Sequence, residues 1–197
     1  MGVNVANERH EQRCVPLKIK YSGDEMTDFR PLVLTARPDV TPLARFEALR
    51  RAHYPAALNR VPAHISLFHQ LPGSELVAVI ERLRLTAREH PAPRVAATGL
   101  RSLGRGVAVT LRSSDLEALH ADLAAAWKPL LIPQDRHRFG GHVTIQNKVT
   151  PAVARATLGT LTEEFIPFEF DIVAIDVWRY LDGPWAHIHA TTLRRGR

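Results

Sequence analysis

The sequence has almost no cysteine and no long apolar run, and each absence excludes a class of protein. Cys14 is the single cysteine among 197 residues, so no disulfide can form within the chain. No stretch approaches the roughly 18 apolar residues that a transmembrane helix needs. The opening segment, MGVNVANERHEQRC, lacks the apolar region of a secretory signal. We therefore expect a cytoplasmic protein that has no membrane partner.

The composition is that of a globular protein with an excess of positive charge. Hydrophobic residues make up 45% of the chain and charged residues 23%. The net charge is +6 and the isoelectric point is about 10.1. Such a balance favours a phosphorylated or polyanionic partner, although some of the arginines lie in the two ends of the chain, where solvation alone explains them.

The pattern of polar and apolar residues along the chain predicts a short tail followed by one duplicated domain. Residues 1–28 are polar and are expected to form an N-terminal tail that packs late or stays mobile. The domain, 29–197, contains two similar halves, 30–101 and 107–181, each with the order strand, helix, histidine-containing strand, helix, strand. A final strand over 184–193 completes the sheet. The expected fold is bilobal α+β, with mostly antiparallel sheets forming a central cleft and helices on the outside.

Capping residues indicate where the helices begin. Hydroxyl side chains precede each apolar helical period, which is the pattern of an N-cap. We expect the N-caps to be Thr41, Ser74, either Ser113 or Ser114, and Thr150. Turns are expected at 104–106 and 182–184.

Two short segments place a histidine and a hydroxyl two residues apart within an apolar strand. In AHISLFH, alternation puts His64, Ser66 and Phe68 on one face, and Ile65 and Leu67 on the other. The histidine that ends this segment falls on the apolar face and is expected to be structural or peripheral.

The second segment, GHVTIQN, repeats the arrangement. Alternation places His142, Thr144 and Gln146 on one face and Val143 and Ile145 on the other. If helices cover the apolar faces, the polar faces of both strands line a common cleft. Phe68 and Gln146 are then expected to contact substrate.

Paired imidazoles and hydroxyls in one cleft suit phosphodiester chemistry without a metal or a cofactor. With an unperturbed pKa near 6.5, one imidazole can accept a proton while the other donates one. The hydroxyls can hydrogen-bond the phosphate oxygens. A lone His-x-Ser is usually a partly buried histidine with a local hydrogen bond, but two copies at matching places favour a function. The spacing does not say which histidine is the base.

HISLF and GHVTIQ resemble the paired His-x-Ser/Thr motifs of the 2H phosphoesterase superfamily, which includes 2′-5′ RNA ligase-like proteins and cyclic phosphodiesterases. The segment GLRSLGRGVAVTLRSSDLEALHADLAAAW is also similar to the one between the motifs there. The resemblance implies a bilobal fold with the motifs facing each other across a cleft. It implies His64 and His142 as the acid and base, and Ser66 and Thr144 as phosphate ligands.

By the same resemblance, the substrate is the 2′,3′-cyclic phosphate of an RNA end or a small nucleotide, which the enzyme opens to a 2′-phosphate. Separately, we expect the protein to be a monomer. Formation of 2′-5′ RNA links would be the reverse of related chemistry. Two alternatives stay open. One is hydrolysis of another small cyclic phosphodiester, such as an ADP-ribose cyclic phosphate, and the other is a non-catalytic module that holds nucleotides or RNA.

Other side chains are candidates for substrate binding. In the loop before the second motif, Arg136, Arg138 and Phe139 are expected to contact substrate, with an arginine making a bidentate contact to phosphate, unless the loop is merely solvated. In the last strand, Trp185 and His187 share a face and could stack on a base. The alternative for the tryptophan is closure of a hairpin core.

A zinc site is a further alternative for the histidines. The candidate ligands are His64, His142, His187 and His189. Apart from His-x-His, their spacing matches no recognised zinc pattern, and we expect no metal.

Overall fold

A computed structural model describes residues 28–194, and the described chain forms seven strands and four α-helices. The strands are β1 (Leu32–Pro38), β2 (Ile65–Leu71), β3 (Arg94–Ser102), β4 (Val107–Arg112), β5 (His142–Gln146), β6 (Phe168–Tyr180) and β7 (Trp185–Thr192). The helices are α1 (Val40–His53), α2 (Leu76–Glu89), α3 (Ser114–Ala126) and α4 (Pro151–Glu164). The predicted tail, apart from Asp28, lies outside the described residues.

The strands form one antiparallel sheet with the order β1-β2-β5-β4-β3-β6-β7. An additional pairing of β1 with β6 joins the first six strands of this order into a closed ring. The third strand of each half pairs with the first strand of the other half. Strand β3 of the first half pairs with β4 of the second, and β6 of the second half pairs with β1 of the first. The two motif strands, β2 and β5, lie side by side as a result. This arrangement confirms the α+β, antiparallel prediction, whereas the lobe boundaries at 101 and 107 stay predictions.

Helices cover the sheet and enclose the core. Helix α1 packs against β5, α4 packs against β3 and β4, and α2 packs against β7 and α3. The largest fully buried side chains between them are Phe46, Phe68 and Phe170. Burial of such side chains stabilises the fold by about 1.5–3 kcal/mol each. Between residues 28 and 194, no helix has the length and apolar character that crossing a bilayer requires.

The observed helix starts agree with the predicted N-caps in the second half of the domain and differ from them in the first half. Ser113 and Thr150 are N-caps, each accepting a hydrogen bond from the backbone N–H three residues on. Thr41 is not a cap, because α1 begins at Val40 and the carbonyl of Asp39 accepts the first helical hydrogen bond. Ser74 lies within a short 3-10 turn, Gly73–Glu75, that precedes α2.

Both motif strands contain an irregularity directly after the hydroxyl residue. Between Ser66 and Phe68, β2 advances two residues while its partner β1 advances one. Between Thr144 and Gln146, β5 does the same against β4. Each irregularity is a β-bulge, which reverses the faces of the residues that follow it. His69 therefore lies on the polar face of its strand, contrary to the expectation that it would share the apolar face of Ile65 and Leu67.

Candidate active site

The two motifs are related by a local two-fold that passes between β2 and β5. Ile65 and Val143 are paired across these strands, and both are fully buried. The residue before each is a motif histidine, and the residue after each is its hydroxyl. Continuing the antiparallel register by one residue sets each histidine opposite the other motif's hydroxyl. By this extension of the register, His64 is assigned opposite Thr144 and His142 opposite Ser66, and all four residues are partly exposed.

The same main-chain contact orients both imidazoles. Nδ1 of His64 lies 2.7 Å from the carbonyl oxygen of Pro62, and Nδ1 of His142 lies 2.9 Å from that of Gly140. A carbonyl oxygen only accepts, so Nδ1 carries the proton in each ring. Nε2 is therefore the nitrogen of each ring that can exchange a proton with a ligand.

The surroundings favour the neutral form of both rings. Burial, together with the positive charges of Arg50, His142 and His69, lowers the pKa of His64 to about 4. Burial, Arg101 and His69 lower the pKa of His142. Near neutral pH both rings are accordingly bases in the unliganded protein. A phosphate anion between them would stabilise the protonated form of either ring.

Aromatic side chains lie on one side of His64. A cavity of about 210 Å³ is lined by His64, Trp178 and His187. The ring of Trp185 lies 4.9 Å from that of His64. His187 is fixed through Nε2, which lies 2.9 Å from the buried carboxylate of Asp176. The structure thus brings Trp185 and His187 beside the motif histidine, where flat apolar surfaces suit a nucleobase.

Basic side chains lie on the other side, next to His142. A cavity of about 260 Å³ is lined by His142, Ser66, Arg138 and Phe139. Two of the three loop residues expected to contact substrate are therefore in the cleft. The third, Arg136, lines an adjoining groove instead, and its Nε donates to the Leu131 carbonyl at 2.9 Å.

Phe68 and Gln146, expected to contact substrate, are instead buried. Phe68 is 0% exposed and stacks on His120, with ring centroids 4.7 Å apart. Gln146 is 2% exposed, and its Nε2 donates to the Thr157 hydroxyl at 2.8 Å. The reason is the bulge in each strand, which turns both side chains from the polar face into the interior.

The four histidines considered as zinc ligands do not assemble into a metal centre. Over the described range, no group of three or more His, Cys, Asp or Glu side chains is placed to hold a metal ion.

Arg50 is a site residue that sequence reasoning missed. It is 2% exposed on α1, and its guanidinium donates to the carbonyl of Thr144 at 2.7 Å and to that of Val61 at 3.1 Å. A third hydrogen bond reaches Asn59 Oδ1 at 2.7 Å. Arg50 therefore ties the second motif to the segment leading into the first. One feature of the sequence could have identified it: Arg50 follows Phe46 by four residues, which places this arginine on the apolar face of the helix.

The family profile described as the 2′-5′ RNA ligase superfamily matches residues 38–184. The match spans most of the chain, so the protein belongs to this superfamily, that of the 2H phosphoesterases. No curated protein sequence matches the chain significantly.

Solved structures share the fold at low sequence identity. TT0787 of Thermus thermophilus aligns with a TM-score of 0.62 at 18% identity, covering 85% of this chain and 100% of that one. E. coli LigT in complex with NADP+ aligns with a TM-score of 0.54 at 13% identity, covering 85% and 100%. LigT in complex with ATP gives 0.52 at 12% identity, covering 86% and 100%. Each likeness thus extends over most of this chain and the whole of the other.

Proposed function

We propose that the protein is a cyclic phosphodiesterase that opens the 2′,3′-cyclic phosphate of an RNA end or a nucleotide to a 2′-phosphate, using its own histidines and no metal. One observation carries the proposal. Two imidazoles, each with Nδ1 held by a carbonyl two residues earlier, flank the paired residues Ile65 and Val143, each of which is followed by a hydroxyl residue.

The geometry supports an in-line displacement with an acid and a base. One imidazole removes a proton from water through Nε2 while the water oxygen attacks phosphorus. The bond from phosphorus to O3′ breaks, and the other imidazole gives its proton to O3′. One water is consumed, and the two rings return to their starting states by exchanging a proton with solvent. A 5′-hydroxyl in place of water would form a 2′-5′ link by the same steps.

The hydroxyls of Ser66 and Thr144 would donate to the non-bridging oxygens as charge develops on them. The nucleoside would lie on the aromatic side, against Trp185 and His187. E. coli LigT, which shares this fold, has been solved in complex with NADP+ and with ATP, and these complexes support the proposal that this protein binds a nucleotide.

The test is turnover in the presence of a chelator. The four nucleoside 2′,3′-cyclic monophosphates and a short RNA ending in a cyclic phosphate would be incubated with the protein. Chromatography and phosphorus NMR would identify the product. We expect 2′-phosphates; no turnover of any substrate would overturn the proposal.

Variants of the two histidines test the assignment of acid and base. His64→Ala and His142→Ala should each lower kcat by about 10²- to 10⁴-fold, because each removes one proton-transfer group. The double variant should lose little more, since the pair acts as a unit. His90→Ala is a matched control, as His90 lies at the end of α2 beside Asp122. Wild-type rates in both motif variants would contradict the assignment.

A further inference from the structure

A third histidine faces the cleft and is held by a buried carboxylate. The side chain of His69 is 44% exposed, whereas that of Asp135 is 1% exposed. Nδ1 of His69 lies 2.7 Å from Oδ1 of Asp135. The backbone N–H groups of His69 and Gln70 donate to the same carboxylate at 2.9–3.1 Å. Asp135 therefore fixes both the strand and the ring.

These contacts decide which nitrogen of His69 is free. Burial raises the pKa of Asp135, but the hydrogen bonds from His69 and Gln70 outweigh it, so that pKa lies below its ordinary value. The ionised carboxylate only accepts, and Nδ1 of His69 must carry the proton. Nε2 is then the ring nitrogen that can contact a ligand in the cavity that His69 lines. In its imidazolium form, the ring can bind an anion there while remaining paired with Asp135.

The wall around His69 is strongly basic. The cavity that holds Ser66 and His142 is also lined by His69, Arg101, His137 and Arg138. Among the described lining residues the acidic one is Asp135, and its carboxylate is covered. Within residues 28–194, no hydrogen bond or ion pair to another side chain engages Arg101 or Arg138.

This charge exceeds what one cyclic phosphate requires. A cyclic phosphodiester carries a single negative charge, and the two motifs already supply two hydroxyls and a protonated imidazole for it. The cavity lies next to a groove of about 930 Å³, with which it shares the lining residues His120, Asp135, His137, Arg138 and Phe139. A groove of that size accommodates a ligand larger than one nucleotide.

We propose that His69, Arg101 and Arg138 form a second phosphate subsite, which selects substrates with a further phosphate flanking the cyclic phosphate. The substrate class rests on the proposed function, but the subsite itself does not. The flanking group could be a 5′-phosphate on a single nucleotide or the internucleotide phosphate of an RNA end.

Calorimetry with product-like ligands tests the subsite without needing turnover. Adenosine 2′-monophosphate lacks a flanking phosphate, adenosine 2′,5′-bisphosphate has a terminal one, and a diadenosine 2′-phosphate has an internucleotide one. We expect at least one of the flanked ligands to bind wild-type protein about tenfold more tightly, an ordinary value for one charge-assisted contact. Whichever flanked ligand gains affinity identifies the source of the phosphate.

Variants assign the effect to named residues. His69→Gln and Arg101→Gln should each reduce the preference for the flanked ligand severalfold, and 0.5 M salt should reduce it further. Arg88→Gln, at an exposed position near the end of α2, is the matched control and should keep the preference. Thermal melts would verify that each variant folds.

The outcomes separate this inference from the proposed function. Equal affinity for all three ligands, or an equal loss of affinity for all three in His69→Gln, would overturn the subsite. A preference that depends on His69, in a protein that turns over no cyclic phosphate, would retain the subsite and reject the cyclic phosphodiesterase.

Discussion

The pKa values of His64 and His142 are both lower than that of free histidine, and this predicts that kcat/KM is highest at acidic pH. In the proposed mechanism one ring is neutral and the other is protonated, so kcat/KM should be highest between the two pKa values of the free enzyme. Burial and neighbouring charges place both values below the ordinary 6.5. We expect the kcat/KM optimum below pH 6.5, measured with a nucleoside 2′,3′-cyclic phosphate. Bound phosphate favours the protonated rings, so the optimum of kcat should lie higher. A kcat/KM optimum above pH 7 would contradict this account.

Arg50 positions the motif strands and also affects His64 electrostatically. Arg50→Met would leave three hydrogen-bond acceptors without their donor, two carbonyls and the Asn59 amide oxygen. We expect the free energy of unfolding, measured in urea, to fall by about 2–4 kcal/mol. Loss of a positive charge beside His64 should raise the pKa of that ring and move the kcat/KM optimum to higher pH. Arg51→Met, at an exposed position on the same helix, should change neither quantity.

At the scale of single strands, alternation predicted the polar faces only as far as the bulges. His64 with Ser66, and His142 with Thr144, lie on the polar faces as expected. Beyond Ser66 and Thr144, alternation fails because an extra residue enters each strand. Neither bulge contains a glycine or a proline that would mark it. The bulge in β2 depends on pairing with β1, a contact made in the folded sheet, so the sequence could not indicate that His69 faces the cleft.

The start of β4 controls the position of β5, which carries the second motif. A Cβ on Gly106 would lie 2.0 Å from the carbonyl oxygen of Gln146, far inside van der Waals contact. Gly106→Ala should therefore push the two strands apart, lower the free energy of unfolding by about 1–3 kcal/mol and reduce turnover. Chemical unfolding and kcat/KM would measure the two effects. Gly99→Ala is the control, because nothing lies within 4 Å of its Cβ. Equal behaviour of the two variants would contradict a steric cause.

At the scale of the molecule, the duplication and the pairing of β3 with β4 could be predicted, but the pairing of β6 with β1 could not. The order of elements repeats in the sequence, and the turn around Gly104 predicts that β3 pairs with β4. Pairing of β6 with β1 joins residues more than 130 positions apart, as Thr35 with Asp176. No local pattern specifies such a contact. It follows from the apolar faces that both strands must bury.

The exchanged strands predict that the two halves unfold together. Strand β6 of the second half pairs with β1 and with β3, which both belong to the first half. Separating the halves would break both ladders, so a partly unfolded state has little to stabilise it. We expect urea unfolding curves from far-ultraviolet circular dichroism and from tryptophan fluorescence to coincide. In Trp127→Phe, fluorescence reports only on Trp178 and Trp185 in the β6–β7 hairpin. Its midpoint should still equal that from dichroism, and two separated transitions would show that the halves are independent.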